Sequence, residues 1–201
     1  MSNEYLMKEY ELCFQQLRYY DDRNTNLLKY LFSLTSAIAT AQFAVYKFLQ
    51  GPSLDFFVCQ AFLSSIVFIS TLLLYLALLQ NRLYFVYIAR QLNAIRGYLM
   101  ENEAPQFRNN QLYTSTDFPA LKPGSVHTFQ LLGAAFLSSL FAGISAYSFY
   151  PSVGKLPCVA TASLTFFLVL ITEIIGGMVY LSSASKKSAD HAIHGQGAAS
   201  S

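Results

Sequence analysis

Two long apolar runs, Phe129 to Phe149 and Cys158 to Ser183, lie almost end to end with a short Tyr150-Pro151 turn between them. Each has about the ~20 residues that a helix needs to cross ~30 Å of hydrocarbon. Two further apolar runs precede them, from about Leu27 to Leu49 and from about Phe56 to Leu79. Few structures accommodate four such runs. The sequence predicts an all-α integral membrane four-helix bundle built from two helical hairpins.

Composition agrees. In 201 residues, 54% are apolar and only 12% are charged, against about 25% charged in ordinary soluble domains. The net charge of +2 gives no basic surplus for nucleic acid, and no direct nucleic-acid binding is expected. The N-terminus is polar and acidic, and the first apolar run starts only near Leu27, so the first span is expected to act as its own insertion signal.

Residues 3 to 24 read as an amphipathic helix within a cytosolic segment 1 to 26. Leu6, Tyr10, Cys13, Leu17 and Tyr20 recur at spacings of four and three, while Glu4, Glu9, Glu11, Gln15 and Arg18 lie off that line. Such a stripe is either a packing seam or a membrane-surface anchor; the flanking acidic residues favour the seam. Asp21-Asp22-Arg23-Asn24 marks the approach to the bilayer, and Gln50-Gly51-Pro52-Ser53 turns the chain between spans one and two.

Span two carries no breaker at its end and continues through Gln80-Asn81-Arg82 to about Met100. This extension, 80 to 100, is predicted to form a cytosolic helical stalk. Phe85, Ile88, Leu92, Ile95 and Leu99 form its apolar stripe. Arg82, Arg90, Asn93 and Arg96 lie largely off that stripe, as candidate contacts to a cytosolic partner or to lipid headgroups. The 101 to 128 segment, rich in Pro and Asn, reads as a partly ordered loop packed through Phe107, Leu112, Tyr113, Phe118 and Leu121. The tail 184 to 201 is expected to be disordered.

Lys and Arg concentrate before span one, between spans two and three, and after span four. That places both termini and the long loop in the cytosol of a multi-pass protein of the cell (inner) membrane.

Glu173 costs about 3 kcal/mol or more to insert as an anion, so it needs a partner or a task. Counting from the span ends brings Ser36, Ser70, Thr71, Ser138 and Ser139 to a similar depth. The expected result is one intramembrane polar layer, serving either to tie the bundle together or to handle an ion, proton or substrate. Ala135, Ser139 and Gly143 at four-residue spacing, with Gly176 and Gly177, form the expected helix-packing or oligomer face. Cys13, Cys59 and Cys158 read as small buried apolar residues, with a Cys59–Cys158 disulfide as the alternative. No metal, cofactor or enzymatic motif is present in the sequence, and no enzyme activity is expected.

The Arg82 to Tyr98 extension, with its Ala89-Arg90-Gln91-Leu92-Asn93-Ala94-Ile95-Arg96 core, and the two-hairpin layout resemble small uncharacterised prokaryotic four-span membrane proteins. Some of those accompany antiviral defence systems and act by disturbing the membrane. The resemblance implies an oligomeric membrane sensor or effector that couples a cytosolic protein partner to a change in permeability. Two other functions fit the residues: a small proton- or ion-coupled transporter centred on Glu173, and a structural membrane anchor for a soluble partner.

Overall fold

A computed structural model describes residues 3 to 102, 115 to 117, 119 to 152 and 159 to 197, with side chains for 4 to 102, 115 to 117, 119 to 151 and 159 to 186. Among these the chain is all-helical: α1 (Asn3–Phe48), α2 (Leu54–Asn102), α3 (Val126–Ser152) and α4 (Val159–Gly197). Three helices are long and apolar enough to cross a membrane, within Leu54–Asn102, Val126–Pro151 and Val159–Lys186. The first run is not among them. Its Lys29 and Lys47, together with Ser33, Thr35, Ser36, Thr40 and Gln42, make it the most polar of the four expected spans.

Three expected breaks are absent. The amphipathic helix and the first apolar run form one 46-residue helix, α1. Asp21-Asp22-Arg23-Asn24 contains neither Pro nor Gly, and polar residues alone do not stop a helix. The expected Tyr150-Pro151 turn lies within the last turn of α3, where proline removes a single backbone bond. The expected loss of order at Ala184 does not occur either, because α4 continues to Gly197. Ser185 is buried, and Ala184 and Ser185 both accept hydrogen bonds from α2.

The helix ends have local causes. The Ser53 hydroxyl accepts from the Phe56 amide at 3.1 Å and Ser125 from the Thr128 amide at 3.3 Å, so serine caps α2 and α3. At the end of α1 the Gly51 amide donates to the Tyr46 carbonyl at 3.1 Å, with Gln50 at φ 56° and Gly51 at φ 123°. Gln50 holds a left-handed conformation that glycine adopts freely. Gln50→Gly is therefore expected to stabilise the α1–α2 turn by a few tenths to about 1 kcal/mol, measurable as a rise in unfolding temperature in detergent. A fall would show that the Gln50 side chain contributes more than its backbone strain costs.

The chain forms two compact units. The first comprises Met1–Thr25, Leu79–Pro123 and Met178–Ser201; the second comprises Asn26–Leu78 and Gly124–Gly177. In the first unit the α1 stripe meets the α2 stripe. Cys13, Leu92 and Ile95 are buried together, with Tyr10, Leu17, Ile88 and Leu99 packed against them. Tyr20 stacks on Tyr84 at 5.8 Å, and Asn81 donates to the Tyr20 carbonyl at 2.8 Å. Burial raises the Cys13 thiol above its ordinary range, and nearby Glu9 adds to the effect. It therefore remains a thiol and serves as an apolar filler.

In the second unit polar groups are buried among apolar ones, while large apolar side chains are exposed. Ser64, Thr71, Ser138, Ser139, Ser148 and Glu173 are buried, whereas Phe43, Phe62, Ile69, Leu73, Leu164, Phe167 and Ile171 are exposed. The α2 residues Ser64, Val67, Thr71, Tyr75 and Leu78 form one buried line at three- and four-residue spacing. On α3, a Cβ at Gly143 would lie 3.2 Å from the Ala162 carbonyl and 3.3 Å from the Phe166 Cβ. Glycine there is required by the close approach of α4.

Candidate functional site

Glu173 sits on the buried line of α4 with 7% of its surface exposed. The Ser138 hydroxyl of α3 donates to its Oε1 at 2.8 Å. The Tyr75 hydroxyl of α2 donates to the Glu173 main-chain carbonyl at 2.6 Å. Oε2 is buried and has no hydrogen-bond partner among the described residues. One residue thus ties α4 to two neighbouring helices and keeps one carboxyl oxygen unused.

Of the residues expected in one polar layer, Ser138 alone bonds the Glu173 carboxylate among the described residues. Ser138 reaches the carboxylate, but Ser139 donates to the Ala135 carbonyl of its own helix at 2.7 Å. Thr71 likewise donates to Val67 at 2.8 Å and Ser70 to Ile66 at 2.9 Å. Hydroxyls in helices commonly bond back to the preceding turn. Ser36 is exposed, and its neighbour Thr35 occupies the buried position instead. The polar contacts between helices are separate clasps. Gln42 donates to Ser64 at 2.7 Å between α1 and α2, and Ser65 and Ser145 share a 2.7 Å bond between α2 and α3. Ser148 is also buried without a partner for its hydroxyl among the described residues.

Of the expected packing face, Ala135 and Ser139 are buried, Gly143 touches α4 and Gly177 is buried. Gly176 faces open space, so it lies outside the contact. Cys59 is exposed rather than buried, and Cys158 lies outside the described residues, as do Phe107, Leu112, Tyr113 and Phe118.

The four polar residues of the α2 extension are turned to intramolecular use. Arg82 is buried and its Nε donates to the Ala120 carbonyl at 2.9 Å. Arg90 donates to the Ser185 carbonyl at 2.8 Å and to the Ser185 hydroxyl. Asn93 donates to the Ser115 carbonyl at 2.8 Å. Arg96 donates to the Tyr10 hydroxyl at 3.1 Å, with its guanidinium 5.5 Å from that ring. Together they fasten the segments around Tyr10, Ser115, Ala120 and Ser185 onto one helix. Sequence periodicity puts these side chains off the apolar stripe, but it does not give the partners that reach them.

Tyr75, Gln42, Ser64, Ser65 and Ser145 are among the interhelical residues that sequence reasoning missed, with Asn81 and Tyr87. The signal for Tyr75 was its position four residues after Thr71, on the same helix face. No family model matches the chain, and no curated protein or solved structure is similar to it.

Proposed function

We propose that the chain is a multi-pass protein of the cell (inner) membrane, with four spans at about 27 to 49, 56 to 79, 129 to 149 and 158 to 183. In this reading both termini and the 101 to 128 connection are cytosolic. The protein acts as an oligomeric sensor or effector, receiving a cytosolic protein partner and answering with a change in membrane permeability. The observation that supports it most is the surface of the second unit, where aromatic and aliphatic side chains are exposed while hydroxyls and Glu173 are buried among apolar residues. Water would penalise such a surface and lipid favours it. The coupling rests on continuity, because α1, α2 and α4 each contribute residues to both compact units without a break in the helix.

Lipid vesicles containing the purified full chain and a trapped small dye test this reading. Dye release above that of protein-free vesicles is the expected result. Vesicles that stay sealed, with the protein inserted, would support a structural anchor instead.

A further inference from the structure

We propose that Glu173 is a proton-binding site, with the exchangeable proton carried on Oε2 while Ser138 holds Oε1. The proposal rests on the reading of the second unit as embedded in lipid. The geometry separates the two carboxyl oxygens. Oε1 accepts from Ser138 at 2.8 Å, and Oε2 is buried with no hydrogen-bond partner among the described residues. A buried carboxylate ordinarily collects several donors, because a bare anionic oxygen in apolar surroundings is costly. Here the Tyr75 hydroxyl, which also reaches Glu173, is committed to the main-chain carbonyl at 2.6 Å. It fixes the helix and leaves the carboxyl alone.

Protonation resolves this. One proton from water forms an O–H bond on Oε2, the charge disappears, and the Ser138 bond to Oε1 survives in weaker form, because a hydroxyl donates more strongly to an anion than to a neutral acid. Release returns the proton and leaves the anion held by a single hydroxyl. The site is accordingly neutral when occupied and strained when empty.

The titratable group touching Glu173 is Tyr75 of α2; α3 presents Ser138, which does not titrate. Elsewhere in this unit, Lys29, Tyr30, Tyr46 and Lys47 of α1 and Asp55 and Cys59 of α2 are exposed, while His127, Tyr147 and Tyr150 of α3 are partly buried. No metal cation is invoked, since a hard cation takes several oxygen ligands and the described hydroxyls around the carboxyl are already committed.

The test is an infrared pH titration of the full chain in lipid vesicles, with Glu173→Gln, Glu173→Asp and Ser138→Ala alongside. Wild type is expected to show a protonated-carboxyl band at neutral pH that fades as pH rises. Glu173→Gln should remove the band, and Glu173→Asp should shift its frequency, which assigns the band even if the Gln variant fails to insert. Ser138→Ala should displace the midpoint by roughly 0.7 pH unit, the amount by which a hydrogen bond to the anion exceeds one to the neutral acid. Sodium at fixed pH should leave the band unchanged. A wild-type spectrum lacking the band at every pH, or keeping it unchanged at every pH, would overturn the proposal, and loss of the band on adding sodium would replace the proton by a metal cation. Because the band is read without any flux, sealed vesicles in the dye experiment would leave this result standing.

Discussion

Leu92→Asp is expected to unfold the first compact unit locally, at a cost of about 4 kcal/mol. Leu92 is 3% exposed at the centre of the cluster it shares with Cys13 and Ile95. Removing its side chain forfeits about 2 kcal/mol of apolar burial, and the new carboxylate adds the penalty of a charge without a partner. Leu17→Asp should act in the same direction but less strongly, because Leu17 is only partly buried. Hydrogen exchange and limited proteolysis over residues 3 to 24 and 85 to 99 read the effect. Both segments should lose protection together, since each is the other's apolar partner. Unchanged protection in both variants would show that the α1–α2 seam contributes little.

Overpacking gives the second large effect. Gly143→Leu should destabilise the second unit by about 2 kcal/mol or more, because its Cβ would already crowd the Ala162 carbonyl at 3.2 Å and the Phe166 Cβ at 3.3 Å. The backbone oxygen cannot step aside as a flexible side chain would, so α3 and α4 must separate. Gly176→Leu is the control, with nothing within 4 Å of the added Cβ. In a thermal unfolding series in detergent, Gly143→Leu should fall well below wild type and Gly176→Leu should remain near it. Equal behaviour of the two would mean that the glycine contact on α3 is not used.

These two variants also mark where sequence reasoning succeeds. The spacing of Cys13, Leu17, Leu92 and Ile95 follows from helical periodicity, and a stripe on one amphipathic helix calls for a stripe on another. The Ala135-Ser139-Gly143 line is readable for the same reason. What periodicity omits is which residues face each other across helices. Ser36 and Thr35 differ by one position, a rotation of about 100°, and that rotation exchanges the buried residue for the exposed one. Tyr75, Gln42 and Ser145 are ordinary in sequence and become clasps only when a neighbour's hydroxyl or carbonyl arrives at bonding distance. Helix boundaries were also hard to read from composition. Asp21-Asp22-Arg23-Asn24 is polar yet helix-compatible, and the Ala184-Ser185 turn is held by Tyr87 and Arg90, whose reach no local composition reveals.

The arginines carry the same lesson. Counted as free charges, Arg82, Arg90 and Arg96 suggest a surface awaiting an acidic partner or lipid headgroups. Bonded to Ala120, Ser185 and Tyr10, they are fasteners of one unit. On α1, Tyr5, Leu12 and Tyr19 are exposed.

Whether α1 crosses the membrane decides between four spans and three, and single-cysteine labelling measures it directly. In a chain whose native cysteines are replaced by alanine, cysteines are placed one at a time at Glu4, Ser53, Ser115 and Lys186, all but the half-buried Ser53 exposed, and intact cells are treated with an impermeant thiol reagent. Four spans with cytosolic termini predict labelling at Ser53 alone, with Glu4, Ser115 and Lys186 reacting only after the membrane is broken. Labelling at both Glu4 and Ser53 in intact cells would contradict the account, since α1 would then lie outside the bilayer with its two ends on the same side.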